Sequence, residues 1–171
     1  RLTQAAVLCP VVRRRAGRAG DRALRPRPMR AHPGQIAIPG GKVDPEDGTP
    51  LAAALREAEE EIGLPRAAVE IIGELERYET RTGFAIAPFV GLVAEGFVPR
   101  PEPGEVEEAF DVPLDFLLDF ANHRRMSREW RGRRRVFWAM PFETRFVWGA
   151  TAGMLRRLAE RVAEARTGRA A

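Results

Sequence analysis

Three glutamates have a spacing that would bring them together on one side of a helix. Glu57, Glu60 and Glu61 stand at positions i, i+3 and i+4, which are neighbours on a helical surface. Like charges at this spacing repel, so the patch would gain from a cation held among the carboxylates. Carboxylate oxygens are hard ligands that suit Mg²⁺ or Mn²⁺. The spacing therefore indicates metal-assisted chemistry, and the alternative interpretation is a solvated acidic surface.

The segment that carries these glutamates has clear helix boundaries. Thr49 is suited to cap the N-terminus, and Pro50 fits the first helical position. Gly63 is a natural C-terminal stop, and Pro65 cannot continue the helix. Apolar residues recur at helical spacing on one face, namely Leu51, Ala54, Leu55, Ala58 and Ile62. We therefore predict an amphipathic helix between Thr49 and Gly63, with Glu59 turned towards solvent.

The glycines upstream of this helix complete a longer pattern. Residues from Gly41 to Leu64 resemble the Nudix box, G-x5-E-x7-R-E-U-x-E-E-x-G-U, in which U is a bulky apolar residue. The stretch from Arg56 to Leu64 matches, with Ala58 as a small apolar residue. Two departures lie in the first half, where Asp47 replaces the expected Glu and the gap to Arg56 is one residue longer.

This resemblance implies a fold and a set of roles. The implied fold class is α/β, a Nudix-type α/β/α sandwich with a mixed sheet, formed as one domain over residues 1–171. It implies Mg²⁺ or Mn²⁺ on Glu57, Glu60 and Glu61, ions that would neutralise phosphate oxygens and activate water. Arg56 is expected to pair with a carboxylate of the box and to fix its rotamer. Glu105 resembles the glutamate of a downstream Nudix segment, and the general base is left open between Glu61 and Glu105.

A second resemblance concerns the substrate. Residues 25–41 resemble the signature that precedes the box in coenzyme A pyrophosphatases, although Pro26 and Ile38 depart from it. The residues in register are Arg25, Arg30, Gly34, Pro39, Gly40 and Gly41. Independently of the resemblance, arginine is suited to bind phosphate through two parallel hydrogen bonds. We expect Arg25, Arg30, Gly34, Gly40 and Gly41 to contact substrate.

Three functions are compatible with these sequence features. The first is hydrolysis of coenzyme A or acyl-CoA to adenosine 3′,5′-bisphosphate and (acyl-)phosphopantetheine, which the second resemblance implies. The second is hydrolysis of another nucleoside diphosphate derivative, such as ADP-ribose or an NADH-type dinucleotide. The third is a non-catalytic Nudix-like module, or an RNA-binding protein that uses the arginines between Arg124 and Arg135.

Composition sets outer limits on these functions. The chain has 171 residues, of which 44% are hydrophobic and 30% are charged, and its net charge is +4. Its basic residues are almost all arginine, with Lys42 as the only lysine, which suggests codon bias in a GC-rich genome. We therefore do not expect a nucleic-acid partner or a membrane, and we expect a monomer or a homodimer.

The only cysteine, Cys9, fits a reducing compartment and a cytoplasmic location. Because the chain begins with Arg1, we expect the native N-terminus to lie upstream.

Runs of apolar residues predict the remaining elements. Strands are expected near Gln4 to Val12 and then at 69–77, 84–93, 136–142 and 145–148. Pro10 and Pro88 indicate sheet edges, strand ends or bulges, and loops are expected at 13–22 and 78–83. Helices are expected at 115–120 and 150–165. The basic segment 121–135 has three interpretations, an RNA surface, a site for the extra phosphate of coenzyme A, or a solvated hairpin.

Overall fold

The structure is a computed structural model that describes residues 1–15, 22–26, 29–32, 35–106 and 108–170. Its contacts divide the chain into two compact units, Arg1–Leu114 and Asp115–Ala171. The expectation of a single domain over 1–171 stays a prediction. None of the helices in these described ranges is long and apolar enough to cross a membrane.

The first unit is built on a six-stranded mixed sheet. Its two long strands, β1 (Thr3–Arg15) and β8 (Phe84–Val93), run parallel to each other. Around them pair the shorter strands β2 (Arg22–Pro26), β5 (Gly40–Lys42), β6 (Val69–Glu74) and β7 (Tyr78–Glu79), all antiparallel. This confirms the predicted mixed sheet. It also shows that Arg13–Arg15, predicted as loop, continue β1 because they pair with the arginine-rich β2.

Both prolines predicted to mark an edge lie inside interior strands. Pro10 falls between the part of β1 that pairs with β5, ending at Val7, and the part that pairs with β2, beginning at Val11. Pro88 falls between the parts of β8 that pair with β7 and with β6. On this side of each strand a proline is tolerated because one short antiparallel neighbour gives way to the next there, although both prolines lie within the parallel pairing of β1 with β8.

One helix and a small sheet complete the first unit. Helix α1 (Pro50–Ile62) lays its apolar face on the sheet, where Ala53, Ala54, Ala58 and Ile62 are buried against Leu8. Burial of this face confirms the helical periodicity read from the sequence. A second sheet has the order β4 (Gln35–Ala37), β3 (Met29–His32), β9 (Ala109–Phe110).

The second unit is a three-stranded antiparallel sheet with helices. Its strands are β10 (Arg124–Trp130), β11 (Arg133–Phe142) and β12 (Arg145–Trp148), in that order. Helix α3 (Gly149–Ala170) packs on β11 and β12, and Met154, Leu155 and Leu158 are buried. The short helix α2 (Leu114–Leu118) is shorter than expected, and a 3₁₀ turn follows it at Phe120–Asn122.

Candidate active site

The glutamates are positioned by a helix whose two ends are fixed by local contacts. The Thr49 hydroxyl accepts a hydrogen bond from the Ala52 N–H at 3.1 Å, and Pro50 occupies the first turn. At the other end Gly63 has φ 70°, a left-handed conformation that favours glycine, and its N–H donates to the Glu59 carbonyl. The caps set where α1 begins and ends, and burial of Ala54, Ala58 and Ile62 in the core sets the direction in which its glutamates point.

Arg56 is the centre of a polar cluster in front of α1. Its guanidinium donates to Asp47 twice, from Nε to Oδ1 at 2.7 Å and from Nη2 to Oδ2 at 3.0 Å. The same group contacts Glu57 Oε1 at 3.3 Å and Glu60 Oε2 at 3.2 Å through Nη1. Nη2 also reaches the Lys42 carbonyl at 3.2 Å. Arg56 therefore pairs with carboxylates of the box, as the sequence predicted, and orients them from one side.

Asp47 is the residue that sequence reasoning undervalued. Its side chain is nearly buried, and it accepts the two bonds from Arg56 and a third from the Asp44 backbone N–H at 2.7 Å. The bond from Arg56 is the main reason that the pKa of the Asp47 carboxyl lies below its ordinary value. The available signal was its position, six residues after Gly41, where the box expects an acid.

Glu57 points from α1 towards the paired glycines. A Cβ placed on Gly41 would lie 2.4 Å from Glu57 Oε1, so only glycine leaves room for this carboxylate. Burial raises the pKa of Glu57, Arg56 opposes that effect, and the neighbouring Glu60 adds to it. Gly40 is packed in a similar way, since its added Cβ would meet the Ala6 carbonyl oxygen at 2.4 Å. Gly40 is thus required by its close approach to the backbone of β1, whereas a side chain at Gly41 would displace the flexible Glu57 carboxylate.

Glu61 and Glu60 differ in their surroundings. Glu61 is buried, with only 2% of its surface exposed, and its side chain forms a hydrogen bond with Glu57. Glu60 is half exposed and paired with Arg56. Within the described residues, no group of three or more His, Cys, Asp or Glu side chains converges as a ready metal site.

The donor chemistry of this pair nevertheless fits a hard divalent cation. Two carboxyl groups in hydrogen-bond contact, Glu61 buried and Glu57 beside Gly41, would offer a divalent cation the hard oxygen ligands it prefers. The fit holds for Glu57 and Glu61. Glu60 would have to turn away from Arg56 to join them, so its place in the ligand set stays a prediction.

Glu105 lies in a loop that is attached to the end of α1. The backbone N–H groups of Arg100 and Glu102 donate to the carbonyls of Ile62 and Glu61, each at 2.9 Å. Glu105 itself is exposed, and its N–H donates to the Glu102 carbonyl. The loop is thus held beside the helix, and the role of Glu105 as a base stays a prediction.

The proposed phosphate-binding residues are only partly described. Arg25 lies in β2 opposite Val12, and Arg30 lies in β3 opposite Ala37 and Ala109. Only the backbone of these two arginines is described, and Gly34 lies outside the described residues. Their contacts with substrate stay predictions.

Comparison with known proteins identifies the family. The NUDIX domain family matches residues 2–130. A protein of Escherichia coli (strain K12), the uncharacterized Nudix hydrolase NudL, is 41% identical over 160 residues, which cover 91% of this chain and 81% of the relative. The fold is similar to that of RenU, a Nudix hydrolase from M. smegmatis, with a TM-score of 0.62 at 21% identity over 95% of this chain and 86% of that one.

A further structural neighbour holds a ligand. The NUDIX domain of Shewanella oneidensis NrtR, in complex with ADP ribose, has a TM-score of 0.56 at 13% identity, covering 95% of this chain and 89% of that one. These matches confirm the predicted Nudix fold class. The hydrolases among them support an enzyme that cleaves pyrophosphate linkages, in a family that generally uses divalent metal ions, over a non-catalytic module. The chain therefore belongs to the Nudix hydrolase family.

Proposed function

We propose that the protein hydrolyses the diphosphate linkage of coenzyme A or acyl-CoA, with products adenosine 3′,5′-bisphosphate and (acyl-)phosphopantetheine. The observation that carries the catalytic part is the carboxyl pair of Glu57 and Glu61, in which Glu61 is buried and Glu57 lies beside Gly41 and is contacted by Arg56. The substrate part is supported by the resemblance of residues 25–41 to the coenzyme A pyrophosphatase signature.

In this proposal Glu57 and Glu61 hold a divalent ion, Mg²⁺ or Mn²⁺, and Glu60 is the third ligand. The bound ion would neutralise phosphate charge and lower the pKa of a coordinated water. Arg56 acts on the carboxylates rather than on the substrate, because its five donors are already shared among Asp47, Glu57, Glu60 and a backbone carbonyl. A diphosphate that enters beside Gly40 and Gly41 would meet no side chain from these two positions.

The general base is Glu61 or Glu105. Burial of Glu61 and its contact with Glu57 suit a ligand, whereas the exposed Glu105 is placed on a loop tied to the end of α1. Arg25, Arg30 and Gly34 supply the phosphate contacts in this proposal. Each of these assignments is taken from the sequence resemblance.

A second substrate class has its own support. One structural neighbour, the NrtR NUDIX domain, is a complex with ADP ribose, a nucleoside diphosphate derivative. ADP-ribose and NADH-type dinucleotides present the same linkage as coenzyme A but lack its 3′-phosphate. We therefore retain hydrolysis of these compounds as the alternative function of the same site.

The decisive experiment measures turnover of coenzyme A, acetyl-CoA, ADP-ribose and NADH by the full chain with Mg²⁺ or Mn²⁺, and identifies the products by mass. Preference for coenzyme A with release of adenosine 3′,5′-bisphosphate is expected. Preference for ADP-ribose would overturn the substrate proposal but leave the site intact.

The site itself is tested by Glu61→Gln, which removes a charge without changing shape. We expect turnover to fall by about three orders of magnitude or more, since loss of a ligand removes the main charge stabilisation in the transition state. Glu59→Gln is the matched control, because Glu59 is exposed on the same helix. Near-normal turnover by Glu61→Gln would exclude the proposed site.

A further inference from the structure

The charge of the protein is divided unequally between the two units. The second unit carries 13 arginines against two Asp and four Glu, a net charge of +7. The first unit carries 14 arginines and Lys42 against 18 acidic residues, a net charge of −3. Codon bias explains why arginine replaces lysine, but it does not explain why the positive charge is gathered in one unit. The composition argument against a nucleic-acid partner therefore does not apply to the second unit.

Much of this charge lies on a hairpin formed by β10 and the first half of β11, which we call the basic ribbon (residues 124–137). All seven residues of β10 are exposed, and so are the turn residues Arg131 and Gly132. Arg131 and Gly132 have φ values of 50° and 70°, the left-handed pair of a type I′ turn that joins two twisted strands tightly. The ribbon extends beyond the three-stranded part of its sheet, because β12 pairs only with Ala139–Phe142 of β11.

Along one face of the ribbon, residue pairs that contain an aromatic ring alternate with a pair of arginines. Directly opposite residues point to the same side of a sheet. The pairs on this face are Trp130 with Arg133, Arg128 with Arg135, and Met126 with Phe137. Trp130 is 43% exposed and Met126 is 39% exposed. The face thus offers a basic pair between two pairs that contain aromatic rings.

Two features of this face favour an anion as a bound partner. Arg128 and Arg135 stand directly opposite each other, so an anion bound at this pair would meet two positive charges that repel one another. The guanidinium carbons of Arg131 and Arg135 lie 4.4 and 5.6 Å from the centre of the Trp130 ring. The two guanidinium groups lie over this ring while 43% of Trp130 stays exposed, and nucleic-acid bases stack both on aromatic rings and on guanidinium planes.

We propose that the basic ribbon binds single-stranded nucleic acid, with bases stacked on Trp130 and the backbone phosphates held by Arg128 and Arg133. The alternation of aromatic and basic side chains suits a polymer in which bases alternate with phosphates. A second copy of this chain is disfavoured, because pairing two β10 edges would bring their arginines together. An anionic membrane would use the charge but would not require aromatic side chains placed between the arginines along the strand.

Fluorescence anisotropy with labelled oligothymidylate and oligouridylate of about 12 nucleotides tests the proposal on the full chain. Three exposed arginines on this face, Arg124, Arg128 and Arg133, predict that affinity falls about 20-fold as salt rises from about 50 to 200 mM. Trp130→Ala keeps the charge and should weaken binding about tenfold through lost stacking. Arg133→Ser should weaken binding and lower the salt slope by about 0.7.

Arg166→Ser, an equal charge change on an exposed part of α3, is the matched control and should change affinity less than twofold, or about 0.4 kcal/mol, which is within the usual range for surface changes. Equal weakening by Arg166→Ser and Arg133→Ser would overturn the proposal in favour of unspecific attraction. So would absence of binding to both oligonucleotides, or binding to phosphatidylserine vesicles alone.

Folding of each variant is checked by its thermal transition and by pyrophosphohydrolase turnover. If the variants do not fold, hydrogen exchange on the unmodified chain decides. Protection of residues 124–137 by the oligonucleotide supports the proposal, and its absence overturns it. The nucleic-acid proposal does not use the glutamate site. If either this proposal or the proposed hydrolysis proves wrong, the other is therefore unaffected.

Discussion

The guanidinium of Arg56 meets the carboxylate of Asp47 edge to edge, through two parallel hydrogen bonds of 2.7 and 3.0 Å. This pairing joins the 3₁₀ turn at Pro45–Asp47 to helix α1. It leaves Nη1 of the same guanidinium facing Glu57 and Glu60. Asp47 thus fixes the arginine, and the arginine in turn fixes the carboxylates.

The first prediction concerns this chain of contacts. A lysine at position 56 keeps the charge but offers a single ammonium, which cannot bridge Asp47, Glu57 and the Lys42 carbonyl at once. We expect Arg56→Lys to lower turnover by about 10- to 100-fold, the usual effect of losing a group that orients ligands. Steady-state kinetics with a titration of Mn²⁺ would measure it.

Arg66→Lys is the control for this substitution. Arg66 is exposed, and its contact with the Ala52 carbonyl is long, at 3.5 Å. The control should keep nearly normal turnover. If Arg56→Lys were as active as Arg66→Lys, the orienting role of Arg56 would be wrong.

The second prediction separates the two glycines of the turn. A methyl group at Gly41 would strike the movable Glu57 carboxylate, whereas one at Gly40 would strike the backbone of β1. Gly41→Ala should therefore lower turnover by at least about tenfold with a small change in stability, by disturbing an orienting contact. Gly40→Ala should destabilise the fold by about 1–3 kcal/mol, the cost of overpacking.

Gly73→Ala provides the comparison, because no atom lies within 4 Å of its added Cβ. Turnover and urea unfolding of the three variants would be measured side by side. Normal turnover by a folded Gly41→Ala would show that the carboxylate does not need its present position.

The third prediction concerns a buried histidine of the second unit. Nε2 of His123 donates to the Leu117 carbonyl at 2.6 Å, so the neutral ring accepts at Nδ1 from Arg156 Nη1 at 3.2 Å. Burial lowers the pKa of His123, and the charge of Arg156 lowers it further, while Leu117, Asp119 and Glu160 oppose the change. A proton added at Nδ1 would face the guanidinium.

The sign of the pH effect follows from linkage. Between the lowered pKa of the folded state and the ordinary value of about 6.5, the unfolded chain binds more protons than the folded one. His123 therefore contributes stability that is complete above about pH 6.5 and is lost as the pH falls towards the folded pKa. Urea unfolding at several pH values should show this loss, and His123→Gln should reduce it. An unchanged pH dependence in His123→Gln would contradict the assignment.

The fourth prediction concerns the only cysteine. Cys9 is 2% exposed in β1, and burial raises the pKa of its thiol to about 12. Because the thiolate is the reactive form, the folded protein at pH 8 should not react with a disulfide reagent over hours. The urea-unfolded chain should react completely, which serves as the control for an intact thiol. Rapid labelling of the folded protein would mean that β1 opens easily.

Much of the site was predictable because its signals are local. The ends of α1 depend on Thr49, Pro50 and Gly63, whose effects reach only a few residues, and the structure confirms all three. The side of the helix that carries the glutamates follows from the same periodicity. The family follows from the order of residues between Gly41 and Leu64.

Pairings between distant residues escaped prediction. Strand β1 lies beside β8, more than 70 residues away, and this pairing places Pro10 and Pro88 inside a sheet. Tyr78–Glu79, predicted as loop, becomes a strand because β8 offers it a partner. Strand pairing depends on which segments of the chain meet in the fold, and a few consecutive residues do not encode that.

The sequence by itself determined the helix, the position of its carboxylates and the family, because these depend on residue type and on spacing within a turn or two. Only the tertiary structure decided that Asp47 receives Arg56, that Gly41 borders Glu57 and that Glu61 is buried. Those relationships depend on how the turn folds back on the helix and on what covers each side chain, and distance along the chain does not specify either.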